Sequence, residues 1–223
     1  MNASTPDNTP AAAAAQRSGP GVVLPPPRLR LFAIVGGGLL VAALATWFFI
    51  TAGQRKEAFA ARALESARAT AEQGNIGDAV QQFQQVATTY EGTAAGYEAV
   101  LGIAQARLIA GQAELAISTL EEFLGKNPPA NYASPANGLL GTALENTAKY
   151  DQAAAAYRQA SDLAETDYLK AALLMDAGRA TRLAGKPEEA QALYQEILDR
   201  YGETGVVSEA RVRLNELTAK PAA

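Results

Sequence analysis

The chain has 223 residues and a formal net charge of -4, with 48% apolar and only 19% charged side chains. That length suits one modest domain with appendages, and the acidic balance offers no basic face for a nucleic acid. With no cysteine and no histidine, disulfides, thiolate or imidazole metal sites, a cysteine nucleophile and a Ser-His-Asp triad are excluded by inventory. Alanine and glutamine fill positions where helical proteins often place charges, a helix-former's composition.

Residues 1–29 are rich in Ala, Pro, Ser and Asn, lack apolar periodicity and contain the run Pro25, Pro26, Pro27. Such a segment cannot bury enough surface to fold, so a disordered tail is expected. From Leu31 to Gly53 no residue is charged, and a helix of that length, at about 1.5 Å per residue, crosses roughly 30 Å of hydrocarbon. A transmembrane helix is therefore expected over 30–53. Arg28 and Arg30 lie before it, Arg55 and Lys56 after it, and Trp47, Phe48 and Phe49 sit near its far end as an interfacial anchor would. The run is longer than the roughly 7 to 15 residues of a signal-peptide core, which disfavours cleavage. Gly36, Gly37 and Gly38 and the series Gly38, Ala42, Thr46 would permit close helix approach, though glycine is also simply tolerated in membrane helices. The basic residues Arg17, Arg28 and Arg30 against Arg55, Lys56, Arg62 and Arg68 do not select an orientation.

Beyond the span the chain repeats itself. Gly74 to Ala79, Gly111 to Ala116, Ala148 to Ala153 and Gly185 to Ala190 align with a spacing of 37 residues, since 111 - 74, 148 - 111 and 185 - 148 are equal. Nine residues after each start stands a large side chain, Phe83, Leu120, Tyr157 or Tyr194, and seven before it a small one, Ala67, Ala104, Gly141 or Gly178. The small residue lets a second helix approach the first, the turn residue ends the first helix, and the alanine five residues on repeats the close contact. Gly185 suits a C-terminal cap, Pro187 a first helical turn, and Glu188 and Glu189 the positive end of the helix dipole. Helices are expected over 55–73, 77–89, 93–110, 113–125, 134–147, 150–163, 167–184, 187–200 and 204–218, with Ser134-Pro135 starting one after the break at Pro128 and Pro129. The last would cover the open end of the stack. The fold class is all-α: a solenoid of about four helical hairpins over 54–218 with a C-terminal capping helix, then a disordered tail over 219–223.

These landmarks resemble the tetratricopeptide repeat, in which Gly or Ala, a turn, Ala, an aromatic and often Pro stand at these offsets. Pro128 falls twelve residues after Ala116, where the family's helix-ending proline belongs. The family's usual period is about 34 residues, and the extra length here is expected in the loops between repeats.

Chemistry-bearing clusters are few. Glu121 with Glu122 and Glu188 with Glu189 are adjacent on helices and point about 100° apart, so they do not converge on one substrate atom. Asp162, Glu165 and Asp167 lie where one helix ends and another begins, where capping accounts for them. No phosphate-cradling glycine loop or nucleophile elbow is present, so neither enzyme activity nor a cofactor is expected. Repeat solenoids hold partner segments on the concave face lined by the first helix of each pair. In this register that face carries Leu64 and Arg68, then Leu101, Gln105 and Leu108, then Thr142 and Glu145, then Met175, Arg179 and Arg182. Apolar groups near the middle and arginines toward one end would suit an unfolded or helical segment with an acidic end, while a wet groove of ordinary surface residues explains the same set. Tyr157 and Tyr194 are assigned to the core.

A short tail, one transmembrane helix and a repeat domain together resemble the YfgM family of bacterial inner-membrane proteins that accompany the SecYEG translocon. The resemblance implies a cytoplasmic N-terminus, a periplasmic repeat domain, and partners among translocon subunits, periplasmic chaperones such as PpiD and unfolded secretory clients. It implies an anchored adaptor or holdase. The alternatives are a structural scaffold for cell-envelope or outer-membrane assembly and an accessory subunit of an enzyme.

Overall fold

A computed structural model describes residues 27–219, apart from the side chains of 27–36, 39, 49, 50 and 52. The expected tails therefore lie outside the described residues, except that 27–29 already belong to a helix and Ala219 follows the last one. The described residues form nine helices: α1 Pro27–Glu72, α2 Ile76–Thr89, α3 Ala94–Ile109, α4 Ala113–Gly125, α5 Ala130–Asn146, α6 Tyr150–Leu163, α7 Asp167–Leu183, α8 Pro187–Arg200 and α9 Val207–Thr218. The chain divides into two compact units, 1–50 and 51–223. In the first, the described part of α1 exposes Leu40, Val41, Leu44, Trp47 and Phe48. The expected membrane span falls partly outside the described residues, and among the described residues no helix is long and apolar enough to cross a membrane.

Two expected boundaries differ. A helix was expected to begin at 55 after the apolar run, yet α1 is one helix of 46 residues. Nothing in Gly53-Gln54-Arg55-Lys56-Glu57 supplies a proline or a capping side chain to break it. Likewise α5 begins at Ala130, directly after Pro129, and carries Pro135 inside it. Ser134 is thus an inner residue: buried, it donates from Oγ to the Ala160 carbonyl of α6 at 2.9 Å. Pro135, the sixth residue of α5, has no amide to offer the Asn131 carbonyl, so the helix forgoes one bond there.

In the second unit α3 with α4, α5 with α6 and α7 with α8 form antiparallel pairs, the end of α1 pairs with α2 through Ala60, Leu64, Ala67, Ala79 and Phe83, and α9 packs on α8. Each pair turns through three residues, 73–75, 110–112, 147–149 or 184–186. The backbone φ is +83° at Gly74, +72° at Gly111, +57° at Ala148 and +80° at Gly185. One left-handed residue per turn reverses the chain, and three of the four are glycine because that conformation costs an L side chain about 1 to 2 kcal/mol. Acids open the second helices, Asp78, Glu114, Asp151 and Glu188, where the helix dipole favours them.

Packing follows the small-to-large pairing. Ala79, Ala116, Ala153 and Ala190 occupy equivalent places in α2, α4, α6 and α8 and are fully buried. Phe83, Leu120, Tyr157 and Tyr194 follow them into the core. A Cβ on Gly141 would stand 2.7 Å from the Tyr157 ring, and one on Gly178 would stand 2.5 Å from the Tyr194 ring. Where the second helix carries Leu120 instead, the facing residue is Ala104, and both are buried in one cluster. Successive pairs are also joined at their turns: Lys149 Nζ lies 3.1 Å from Glu114, and Lys186 Nζ lies 3.0 Å from Asp151. α9 buries Ala210 and leans Leu214 and Leu217 on the α4–α9 core, with its other face exposed as a cap requires.

These contacts set two expectations. Gly178→Ala should destabilise the domain by about 1 to 3 kcal/mol, overpacking outweighing the roughly 1 kcal/mol that alanine gains inside a helix. Adding Tyr194→Leu should recover part of that loss by recreating the Ala104 and Leu120 pairing, and a double-mutant thermal cycle that is simply additive would refute the pairing. At the turns, Ala148→Gly should raise the melting temperature by a few degrees and Gly111→Ala should lower it, each by about 1 kcal/mol of left-handed strain.

Candidate functional site

The first helices of successive pairs are neighbours, α3 lying directly against α5, so side chains spaced 37 residues apart line up across one face. Arg68 of α1 is exposed and pairs with Glu98 of α3 and, at 4.0 Å, with Glu65. Leu64 does not face outward: it is only 4% exposed and sits in the core with Ala60, Ala67 and Phe83. A helix turning about 100° per residue carries Leu64 and Arg68 some 40° apart, enough to put the leucine on the buried side of the seam. Leu101 and Leu108 of α3 are half-buried, Leu101 against the cluster of Leu120 and Phe123, Leu108 against the α4–α9 core. Gln105 between them is exposed.

On α5 and α7 the expected residues form a linked polar network. The Tyr157 hydroxyl donates to Glu145 Oε2 at 3.1 Å and meets the Thr142 hydroxyl at 3.1 Å. Glu145 also pairs with Arg179 at 3.1 Å, and Arg179 with Asp176 at 2.7 Å. Tyr157 is therefore a core residue, 2% exposed, whose hydroxyl alone reaches this face. Burial pushes its phenol well above the usual tyrosine range, Glu145 and Asp176 add to the shift and Thr142 opposes it. Burial also raises the Asp176 carboxyl, against the pull of Arg179 and with Glu145 and Glu209 adding to it. Met175 is half-buried on the α4–α9 core. Arg182 is exposed and, unlike Arg179, takes part in none of the ion pairs among the described residues.

Of the two arginines expected on this face, Arg179 pairs with two carboxylates and Arg182 with none among the described residues. Sequence reasoning passed over Glu98 and Asp176, although Asp176 stands three residues before Arg179, the spacing of a helical ion pair. It also passed over a surface cleft of about 540 Å³ between α2 and α4 with α3 as its floor, lined among others by Tyr97, Ile103, Phe123 and Lys126. Among the described residues no group of three acids forms a metal-holding cluster.

Comparison with known proteins agrees with this geometry. Residues 168–204 match the tetratricopeptide repeat family. Among solved structures the chain is similar to nearly identical TPR-like repeats described as those of a kinesin light chain from Podosopora anserina, at 17% identity and a TM-score of 0.57, covering 70% of this chain and 83% of that one. A single-substitution variant of those repeats matches with the same values. No curated protein matches the chain. The second unit folds as an all-helical tetratricopeptide-like solenoid.

Asp176 generates a pH test. Its carboxyl is raised in the folded state, so the stability its protonated form contributes is complete below the unfolded carboxylate range and is lost as pH rises through the raised value. Asp176→Asn, neutral at every pH and leaving Arg179 its Glu145 partner, should melt above the parent at pH 7, with the gap closing by about pH 3. A gap independent of pH would contradict it.

Proposed function

We propose that this tetratricopeptide-like solenoid is a membrane-anchored protein-interaction adaptor with holdase character, acting beside the Sec translocon and periplasmic chaperones. The fold itself suggests a protein-interaction adaptor, since helical-hairpin solenoids present an extended face to partner segments and are generally scaffolds. One observation carries the reading furthest: α3 offers half-buried Leu101 and Leu108, and α7 offers half-buried Met175 and, two turns on, the unpaired Arg182. Such a face can take apolar side chains together with an acidic group, as a short stretch of unfolded chain would present. The anchor rests on the uncharged run Leu31 to Gly53, and the inner-membrane setting, the cytoplasmic N-terminus and the translocon partners rest on the resemblance to the YfgM family.

The test is photocrosslinking from Gln105 in intact bacteria, with fractionation and protease protection run in parallel. Translocon subunits, periplasmic chaperones and exported chains should be captured, and the repeat domain should be cleaved by protease added to spheroplasts. Arg182→Glu should cut capture several-fold with unchanged helical circular dichroism. Equal loss of both signals would overturn the assignment of the face, recovery of the chain in the soluble fraction would overturn the anchor alone, and capture of an envelope-assembly complex without the translocon would favour the scaffold reading.

A further inference from the structure

We propose that the solenoid contains one built-in hinge, at the cleft between α2 and α4, about which 51–109 turns against α4–α9. Four independent observations meet there. The buried apolar residues form separate clusters: one runs from Ala60 to Ile103 through α1, α2 and α3, and another from Ala116 to Ala210 through α4 to α9. Between them lies a smaller cluster of Ala104, Leu120, Phe123 and Ala136 with seven partly buried apolar residues packed on it, among them Tyr97, which stands 5.9 Å from Phe123 and 4.9 Å from Tyr132. This pivot is small beside the two cores it joins, and Leu108 of α3 also leans on the α4–α9 core across it.

The second observation is the cleft itself, about 540 Å³ at this seam. The third is the chemistry of the seam compared with the next one along. Ala87, Arg107, Thr119 and Lys126 line the cleft, and 37 residues later their places are taken by Leu124, Leu144, Ala156 and Leu163. Leu144 and Ala156 are buried in the α4–α9 core. Tyr97 and Val100 of the cleft change the other way, to Ser134 and Asn137, but the groups that bridge the cleft are Arg107, Thr119 and Lys126, which can part and be rehydrated at little cost.

Those bridges form the latch. Lys126, at the end of α4, reaches Glu91 before α3 at 3.4 Å while also holding Glu122 at 3.4 Å. Arg107 of α3 donates to the Leu115 carbonyl of α4 at 2.9 Å and to the Thr119 hydroxyl. Fourth, the lysine-to-acid rung that joins later pairs at their turns is missing here: Gln112 and Gly77 occupy the positions of Lys149 with Glu114 and of Lys186 with Asp151. Opening the cleft swings Arg68 and Glu98 on one body relative to Thr142, Glu145 and Arg182 on the other, so the hinge sets the spacing of the partner-facing residues.

The absence of cysteine allows the test in the full chain, purified in detergent. Nitroxides at Gln84→Cys and Glu121→Cys report across the cleft, and the same positions one repeat later, Glu121→Cys and Arg158→Cys, report across the closed seam. All three sites are exposed. Pulsed electron–electron resonance should give two distance populations across the cleft and one narrow population across the control seam. Lys126→Ala should raise the longer population by up to about fivefold, the scale of losing one exposed ion pair, without moving the control. Narrow single populations at both seams would overturn the hinge, broad distributions at both would replace it with uniform flexing, and indifference of the cleft pair to Lys126→Ala would remove Lys126 as the latch.

Discussion

The structure depends on how closely the two helices of each pair can cross. At Gly141 and Gly178 the first helix offers bare backbone to the face of a tyrosine ring, and there is no room for even a methyl group. A ring lying on backbone fills the crossing at interior density and leaves no void for water. Once that contact is made, the position of the second helix follows, and so does the surface presented to the next pair. The alanine five residues past each turn performs the same service from the other side, which is why Ala79, Ala116, Ala153 and Ala190 are all fully buried.

Much of this was legible in the residues themselves. A period of 37 with small, turn, small and large landmarks reports helix pairing directly, because each landmark answers a steric demand that few residue types meet. Helix ends at 89, 125, 163 and 200 were readable for the same reason. What escaped is what depends on neighbours instead of position. Whether Leu64 faces groove or core is decided by a small rotation of α1, which periodicity alone leaves open. Pro135 reads as a helix start until the preceding Pro128-Pro129 break is weighed against it, and then the helix begins at Ala130.

The candidate face was legible by place and less so by charge. Thr142, Glu145 and Arg179 do come together, but as a closed network in which Glu145 accepts from Tyr157 and balances Arg179. A row of charges seen in sequence says nothing about which are already answered by a partner on the next helix. Asp176 and Glu98 supply those answers, and they leave Arg182 as the arginine of this face with no such carboxylate.

The rungs at the turns have a consequence for how such a chain can change length. Each lysine reaches back to the acid of the preceding unit, Lys149 to Glu114 and Lys186 to Asp151, so every unit from 148 onward carries both halves of the connection. A tandem duplication of 148–184, inserted in frame, would find a matching acid before it and a matching lysine after it. The same event copying 74–110 would bring Asn75 and Gly77 to that seam and supply neither. Copy number is therefore adjustable in the later half of the array, where gene duplication yields a joint that already fits.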